Sequence, residues 1–334
     1  MNNLKSILIF LVICYAMQVE AQHQIRSSQI FLNAPSINPA FTGVDDFWEM
    51  KTGFRQQYAG LDNGPSSYFV GVYGVIKKPD PLSFQENSLR ISNPSAYANE
   101  ERAKGLRHGI GAMLYIDQQN AIDQQSLMLN YALHLSISRN YNLTVGTSFG
   151  LFTREINADE LTVKQLADQT YQDLLDMGAK QSYIDVNLGL LLYSNKFYVG
   201  VSALPVVQNA LSNSDAIQEE DTKINLNFMT GYQMDISPEW RLQSSAIVRY
   251  DEFNELNYEL GVKFRKYDVF WTGLTYNSNE AISLIFGTMV KERMTFGYSY
   301  DFYYSDDNNV GKGNHEIILG IALFKNKRSK PYAW

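Results

Sequence analysis

Residues 183–192 read YIDVNLGLLL, and their side chains alternate between apolar and polar or small. Successive side chains of a β-strand point to opposite faces, so this stretch predicts a strand with one wholly aliphatic face. The aliphatic face carries Ile184, Val186, Leu188, Leu190 and Leu192, and the opposite face carries Asp185, Asn187 and Gly189. Such a strand can separate lipid or a core from water.

The same alternation recurs along the chain and predicts fourteen strands. Most segments are ten to thirteen residues long, which matches the roughly 9–11 residues of a tilted membrane strand and exceeds the roughly 5–6 of soluble sheets. We therefore expect an all-β fold, a transmembrane antiparallel β-barrel of about 14 strands. The strands are expected near 46–58, 66–76, 107–117, 124–138, 141–153, 182–193, 196–204, 222–235, 239–250, 257–266, 268–276, 281–290, 293–303 and 314–324.

The composition excludes several classes of protein. The chain is 45% hydrophobic and contains 22 Tyr, 18 Phe and 22 Gly, but its mean hydropathy is −0.25. Apart from the N-terminal apolar run, no stretch approaches the roughly 20 apolar residues of a spanning helix. The net charge of −7 makes nucleic acid an unsuitable partner. A lipid bilayer is the partner that the strand pattern predicts.

Residues 1–21 have the pattern of a secretory signal peptide, with a short basic start, an apolar run at residues 7–16 and a small residue, Ala21, at the end. The apolar run is too short to span a bilayer. We expect cleavage after Ala21 and a mature chain that begins at Gln22. The single cysteine of the sequence lies inside this peptide, so the mature chain would have no thiol.

The mature chain shows no linker, repeat array or second domain. We expect residues 22–334 to form a single outer-membrane barrel domain. Within it, residues 22–44 look irregular and residues 325–334 form a basic tail, expected on the periplasmic side. A fourteen-stranded lumen needs a plug or conducts, and residues 22–44 and 77–106 are the available plugs.

The connections alternate in length, as in outer-membrane barrels. If the first strand runs outward, the tight turns are periplasmic and the long connections are external, except for residues 77–106. The external loop at residues 154–181 is expected to contain a short helix, over about residues 159–177, with Gly178 past its end. The tight turns are expected near 139–140, 194–195, 236–238, 266–267 and 291–292.

Candidate chemistry is scarce, and we predict no enzyme, no cofactor and no metal. The four histidines have no metal-ligand spacing to one another. His134 with Ser136 or Ser138 is the only candidate for a membrane phospholipase pair, and ordinary strand residues explain it better. The glycines, such as Gly109 and Gly146, are expected to provide room on a crowded inner face.

Charged residues on strands one, nine and ten are expected to face the lumen, near the barrel seam, because a Lys or Arg facing lipid near the midplane costs about 2–4 kcal/mol. They predict either an ion-pair network that holds a plug or a path for a substrate. Aromatic residues near strand ends are expected to form girdles. The lumenal set is Glu49, Lys51, Arg55, Arg241, Arg249, Glu259, Lys263 and Arg265, and the girdle set is Trp48, Tyr58, Trp240, Tyr250, Tyr258 and Trp271.

The N-terminal stretch QIFLNAPSINPAFTG, residues 29–43, resembles the start of the PorP/SprF family of type IX secretion system membrane proteins of Bacteroidetes. The likeness continues in RQQYAG at 55–60, GPS at 64–66, HGIG at 108–111, YALH at 131–134 and GNHEI at 313–317. The resemblance covers nearly the whole mature chain. The chain departs from the family's pattern at residues 23–26, which lack an Asp-Pro, and in its basic tail.

The resemblance implies a non-enzymatic outer-membrane component of type IX secretion or gliding. It would contact periplasmic and outer-membrane secretion components and assist export or surface anchoring of a large adhesin or other cargo. The alternative from the charged lumen is a passive porin or solute transporter. Asn38, Pro39 and Gly43 are read either as turn residues that fix the entry into strand one or as partner-binding residues. Further partner-binding or plug candidates are Arg55, Tyr58, Arg241, Arg249, Lys263 and Arg265.

Overall fold

Fourteen antiparallel strands form one closed barrel in the computed structural model, which confirms the predicted fold. The structure describes residues 27–45, 47–61, 64–76, 106–138, 140–157, 179–212, 224–250, 256–278, 281–304 and 313–324. The strands are β1 (Trp48–Gln56), β2 (Ser66–Ile76), β3 (Leu106–Gln119), β4 (Ile122–Ser136), β5 (Asn142–Ile156), β6 (Ala179–Tyr193), β7 (Phe197–Ser212), β8 (Asn225–Asp235), β9 (Trp240–Tyr250), β10 (Leu256–Lys266), β11 (Phe270–Asn277), β12 (Ala281–Val290), β13 (Met294–Tyr303) and β14 (Asn314–Leu323).

Strand β7 is the main departure from the expected bounds, because it continues to Ser212 and was expected to end at residue 204. The register against β6 shifts between Val186 and Leu188, whose partners are Val207 and Ala203. The extra residues form a bulge that contains Pro205. A bulge is a position at which a sheet tolerates proline. The strand therefore continues past Pro205 to Ser212.

Alternation sets the two faces of the barrel. The alternating aliphatic face of β6 points outward, with Leu188 46% and Leu190 52% exposed. Asn187 lies on the opposite face and is buried in the lumen. On β13, Phe296 and Phe302 also point outward. Exposed apolar side chains on nearly every strand form the belt expected of a membrane-spanning barrel.

The two ends of the barrel differ, and we call them the tight-turn end and the long-loop end. At the tight-turn end, Tyr267 and Asp268 have φ of 52° and 56°, and Lys291 and Glu292 have φ of 51° and 54°. Two consecutive residues of positive φ are what a type I′ hairpin turn requires. The short helix expected at residues 159–177, the connection at 77–105 and the basic tail lie outside the described residues.

A plug, defined here as residues 27–45, lies inside the barrel before β1. It contains three short 3-10 turns, Ile30–Leu32, Ala34–Ser36 and Pro39–Phe41. Ala40 and Thr42 are fully buried, as is Asn38, and Phe41 packs edge-on against Tyr198 with ring centroids 5.3 Å apart. Among the described residues, no helix is long and apolar enough to cross a bilayer.

Candidate functional site: the lumenal plug

The centre of the plug is attached to the wall by Asn38. Its amide Nδ2 donates to the backbone carbonyls of Leu190 on β6 and Val201 on β7, at 3.1 and 3.3 Å. Its Oδ1 accepts from the Ala40 amide at 2.9 Å and so caps the third 3-10 turn. The hydroxyl of Ser202 donates to the carbonyl of Ile37 at 2.7 Å. Asn38 therefore serves turn geometry and wall attachment together.

Inward-facing glycines allow the plug backbone to approach this wall. A Cβ at Gly146 on β5 would lie 2.5 Å from the Ala40 Cα, and one at Gly189 on β6 would overlap the Asn38 side chain. Since real Cβ atoms do not approach heavy atoms so closely, both positions need glycine while the plug is in place. We call Asn38, Ser202, Gly146 and Gly189 the neutral anchor.

The end of the plug is held by a buried polar cluster on β3 and β4. His134 bonds the carbonyl of Thr42 through Nε2 at 2.9 Å, and Arg107 donates to the carbonyl of Val44 at 3.1 Å and to the Tyr193 hydroxyl at 2.8 Å. His134 is 2% exposed and faces the lumen, so it does not lie on the lipid-facing side that a membrane phospholipase pair would need. Gly43, with φ of 72°, packs against Gly109.

The start of the plug meets a buried ion cluster where the barrel closes. Arg55 on β1 bonds Asp301 on β13 at 2.8 Å and Glu316 on β14 at 3.1 Å. The Ser28 amide donates to Glu316 at 2.9 Å, and the Ser28 hydroxyl donates to Asp301 at 2.9 Å and accepts from Arg55 at 2.6 Å. Ser27 donates to Glu316 at 2.7 Å. We call these five residues the charged anchor.

Lys263 and Arg265 on β10 also reach the plug region. The Lys263 ammonium lies 3.6 Å from the centroid of the Phe31 ring, a cation–π contact. Arg265 lies 5.9 Å from the centroid of the Trp271 ring and 3.5 Å from Asp268. Trp271 was expected in an aromatic girdle, but it is 5% exposed and packs inside the lumen, where its ring fills the space beside Gly287.

Three further predicted residues lie apart from the plug contacts. Arg241 pairs with Asp235 and Asp268 at the tight-turn end, at 2.9 and 2.8 Å. Arg249 lies 3.9 Å from Glu259 across β9 and β10. At the long-loop end Tyr58 stacks on Tyr303 with centroids 5.5 Å apart, and its amide donates to Asn314 at 3.1 Å.

The sequence therefore predicted one partner of several of these contacts but not the other. Arg55 and Asn38 were candidates, but Asp301, Glu316, Ser202 and Arg107 were not. The alternation of β13 puts Asp301 on the inward face, where it is 2% exposed. Its pairing with Arg55, however, spans 246 residues of sequence and depends on how β1 and β14 close the sheet.

The chemistry of the plug region is that of attachment. Hydrogen bonds, ion pairs and close glycine contacts fix one lumenal segment to β1, β3 to β7, β10, β13 and β14. In the part of the chain that the structure describes, no group of three or more His, Cys, Asp or Glu side chains could hold a metal ion. The fold and its filled lumen define a class: a plugged, membrane-spanning β-barrel.

A family comparison identifies the barrel more closely. The family model of the type IX secretion system membrane protein PorP/SprF matches residues 19–321, nearly the whole chain, and the chain belongs to that family. The family and the barrel together make it an outer-membrane component of type IX secretion, which implies contact with other components of that system and indicates a non-enzymatic role. The resemblance read from the sequence is confirmed.

Among curated proteins, none matches the chain. Solved barrels are similar in outline. The outer membrane protein Omp33 of Acinetobacter baumannii has a TM-score of 0.46 at 9% identity, with 84% of this chain and 100% of that chain covered. The CymD monoaromatic hydrocarbon channel has a TM-score of 0.49 at 12% identity, with 92% and 95% covered. A FadL homologue of Pseudomonas aeruginosa has a TM-score of 0.48 at 9% identity, with 86% and 92% covered.

Proposed function

We propose that this chain is an accessory subunit that assists the export or surface anchoring of a cognate adhesin or other cargo during type IX secretion, including cargo used in gliding. The plug is the observation that carries this proposal. A lumenal segment that is hydrogen-bonded to β1, β3, β4, β6, β7, β13 and β14 suits a barrel that binds and holds. It does not suit a barrel that lets solutes pass.

The arrangement of the termini supports a role at the tight-turn end, which we take to be periplasmic. Although Ser27 and Ser28 at the start of the plug bond Glu316 near the long-loop end of β14, the end of the plug leads into the start of β1 at the tight-turn end. There β1 pairs with the end of β14, and the basic tail, residues 325–334, follows β14 in the sequence. A partner on the periplasmic side would reach all of these elements. N-terminal sequencing of the mature protein should begin at Gln22.

Deletion of the gene tests the proposal. We expect at least one exported protein to disappear from the cell surface, measured by surface labelling and mass spectrometry, with the wild-type gene restored as the control. Unchanged secretion and display of every cargo of the system would contradict the proposal. A mild-detergent pull-down of the tagged barrel should recover secretion components and one large surface protein.

Passive transport is the second candidate, favoured by the charged lumenal residues Arg249, Glu259 and Lys263. The plug argues against it, because residues 27–45 lie in the lumen, from the charged anchor to the start of β1. Single-channel recording in planar bilayers separates the two functions. We expect the wild-type barrel to be silent, and a steady conductance of porin size would favour transport.

A further inference from the structure

A cavity of about 100 Å³ opens at the tight-turn end between the plug and the barrel wall. Phe31 and Leu32 of the plug line it together with Lys263 and Trp271 of the barrel wall. Its rim includes Arg293 of the β12–β13 turn and residues at the end of β14. The cavity is therefore open to the compartment at that end and closed on the inside by the plug.

Lys263 is the unusual group in this cavity. Its side chain is only 8% exposed, and among the described residues no carboxylate lies within ion-pair distance of its ammonium. The ammonium lies 3.6 Å from the centroid of the Phe31 ring. A buried ammonium is costly to keep without a counter-charge, and the ring supplies only part of one. Lys263 therefore creates a site suited to an anion.

The neighbouring charges determine what kind of anion fits. Lys51 is already bonded to Glu49 at 2.8 Å, and Arg265 lies 3.5 Å from Asp268. The cavity lining thus contains four cations and three carboxylates, which leaves an excess of one positive charge: Lys51, Lys263, Arg265 and Arg293 against Asp45, Glu49 and Glu292. An excess of one charge matches a singly charged anion better than a multiply charged one such as phosphate. A single carboxylate is the best match.

The apolar lining determines what carries the carboxylate. Phe31, Leu32, Phe47 and Trp271 line the same cavity as the Lys263 ammonium, so the anion should have a short apolar stem. The side chain of a glutamate has this shape. A long acyl chain does not fit, because the plug limits the depth of the cavity.

We propose that this cavity binds an acidic side chain of a protein segment that approaches the tight-turn end, with Lys263 as the residue that pairs with its carboxylate. The inference rests on the proposed function for the existence of such a partner. It adds the place and the chemistry of the contact. Because the plug supplies Phe31 and Leu32, the site exists only while the plug is in place.

The test uses the purified full-length barrel in detergent and two capped tripeptides, acetyl-Phe-Glu-Leu-amide and acetyl-Phe-Gln-Leu-amide. Titration calorimetry should show at least tenfold tighter binding of the glutamate peptide. Lys263→Gln should remove that preference and Lys263→Arg should keep it. The matched control is Lys266→Gln, because Lys266 lies on the same strand but does not line the cavity. This variant should bind both peptides like the wild type.

Equal binding of the two peptides by the wild-type barrel would overturn the proposal without need of any variant. Stronger binding of inorganic phosphate or of hexanoate than of the glutamate peptide would also overturn it, in favour of a free anion or a lipid. Heat-modified mobility on gels verifies that each variant is folded. Binding to the purified barrel is independent of secretion, so a failed deletion test and a failed binding test are distinguishable.

Discussion

The plug is held by two anchors of different kinds. The charged anchor joins Ser27 and Ser28 to Arg55, Asp301 and Glu316, across three neighbouring strands where the barrel closes. The neutral anchor joins Asn38 and Ile37 to β6 and β7 through carbonyls and one hydroxyl. One anchor depends on charge and the other on shape.

The difference has a structural consequence. In the charged anchor, Arg55 belongs to the first strand and Glu316 to the last, and they are direct partners in the β1–β14 ladder. Plug attachment and barrel closure therefore share the same side chains. In the neutral anchor the wall strands are already joined by their own ladders, so the plug is an addition to a complete wall. Damage to the first anchor should weaken the whole barrel, and damage to the second should release only the plug.

The largest expected effect is that of Arg55→Ala, which leaves Asp301 and Glu316 buried without their cation. Removing one member of a buried pair costs about 3–5 kcal/mol. We expect a loss of that size in the free energy of unfolding, measured by urea titration in detergent micelles. The control is Arg241→Ala, because Arg241 also bonds two aspartates, but both of these are more than half exposed.

Exposed ion pairs contribute about 0–1 kcal/mol each, so the control should stay close to wild type. Equal losses in the two variants would mean that the charged anchor has no special part in closure.

Next in size is Gly146→Ala, which introduces a Cβ into the space of the Ala40 backbone. Overpacking of this kind costs about 1–3 kcal/mol, and the plug can avoid it by moving out. We expect the plug to become sensitive to added protease while the β-sheet content in circular dichroism stays unchanged. Gly150→Ala on the same strand and face is the control, since its nearest heavy atom would be Asp185 Cβ at 3.4 Å. A plug as resistant in Gly146→Ala as in Gly150→Ala would show that shape does not hold it.

The Asn38 variants separate the two tasks of this side chain. Asn38→Ala loses the wall bonds and the cap, and leaving buried partners unsatisfied costs about 1–3 kcal/mol. Asn38→Asp can still accept from the Ala40 amide but cannot donate to the carbonyls of Leu190 and Val201. We expect the Asp variant to expose the plug to protease at least as much as the Ala variant does. Protection restored by Asp would assign the role of Asn38 to the cap alone.

The strands and tight turns of this barrel could be predicted because they are local. Alternation over ten residues reveals a strand, and it correctly placed Lys263 and Arg265 on the inward face. The prediction that Trp271 belongs to an aromatic girdle was wrong because it relied on the position of Trp271 near a strand end. Alternation puts Trp271 on the same face as the inward Gly273.

The contacts of the plug could not be predicted because they join distant parts of the chain. The bond from Asn38 to Val201 spans 163 residues, and the bond from Arg55 to Glu316 spans 261. β1 and β10 are also separated by four strands in the sheet, yet Lys51 and Lys263 line one cavity. The inward glycines were the sequence signal that could have indicated these contacts. They were expected to provide room on the inner face, and the plug occupies that room.

The smallest expected effect is that of Ser202→Ala, which removes one donor to the Ile37 carbonyl and one acceptor for Asn227 at 3.3 Å. A net hydrogen bond contributes about 1 kcal/mol, so the plug should become slightly more sensitive to protease. Ser244→Ala is the control, since its hydroxyl also bonds a carbonyl, that of Tyr232, but on the exposed face.

Ser202 on β7 bonds Ile37 of the plug, and the next plug residue, Asn38, bonds Val201 on the same strand. The effects of the two substitutions should therefore be coupled in a double-variant cycle. If the neutral anchor is one unit, the combined variant Asn38→Ala and Ser202→Ala will differ from the sum of the single effects by more than about 0.5 kcal/mol. If the two effects simply add, each bond holds its own part of the plug independently. The neutral anchor would then be a set of separate contacts, whereas the charged anchor is one connected cluster.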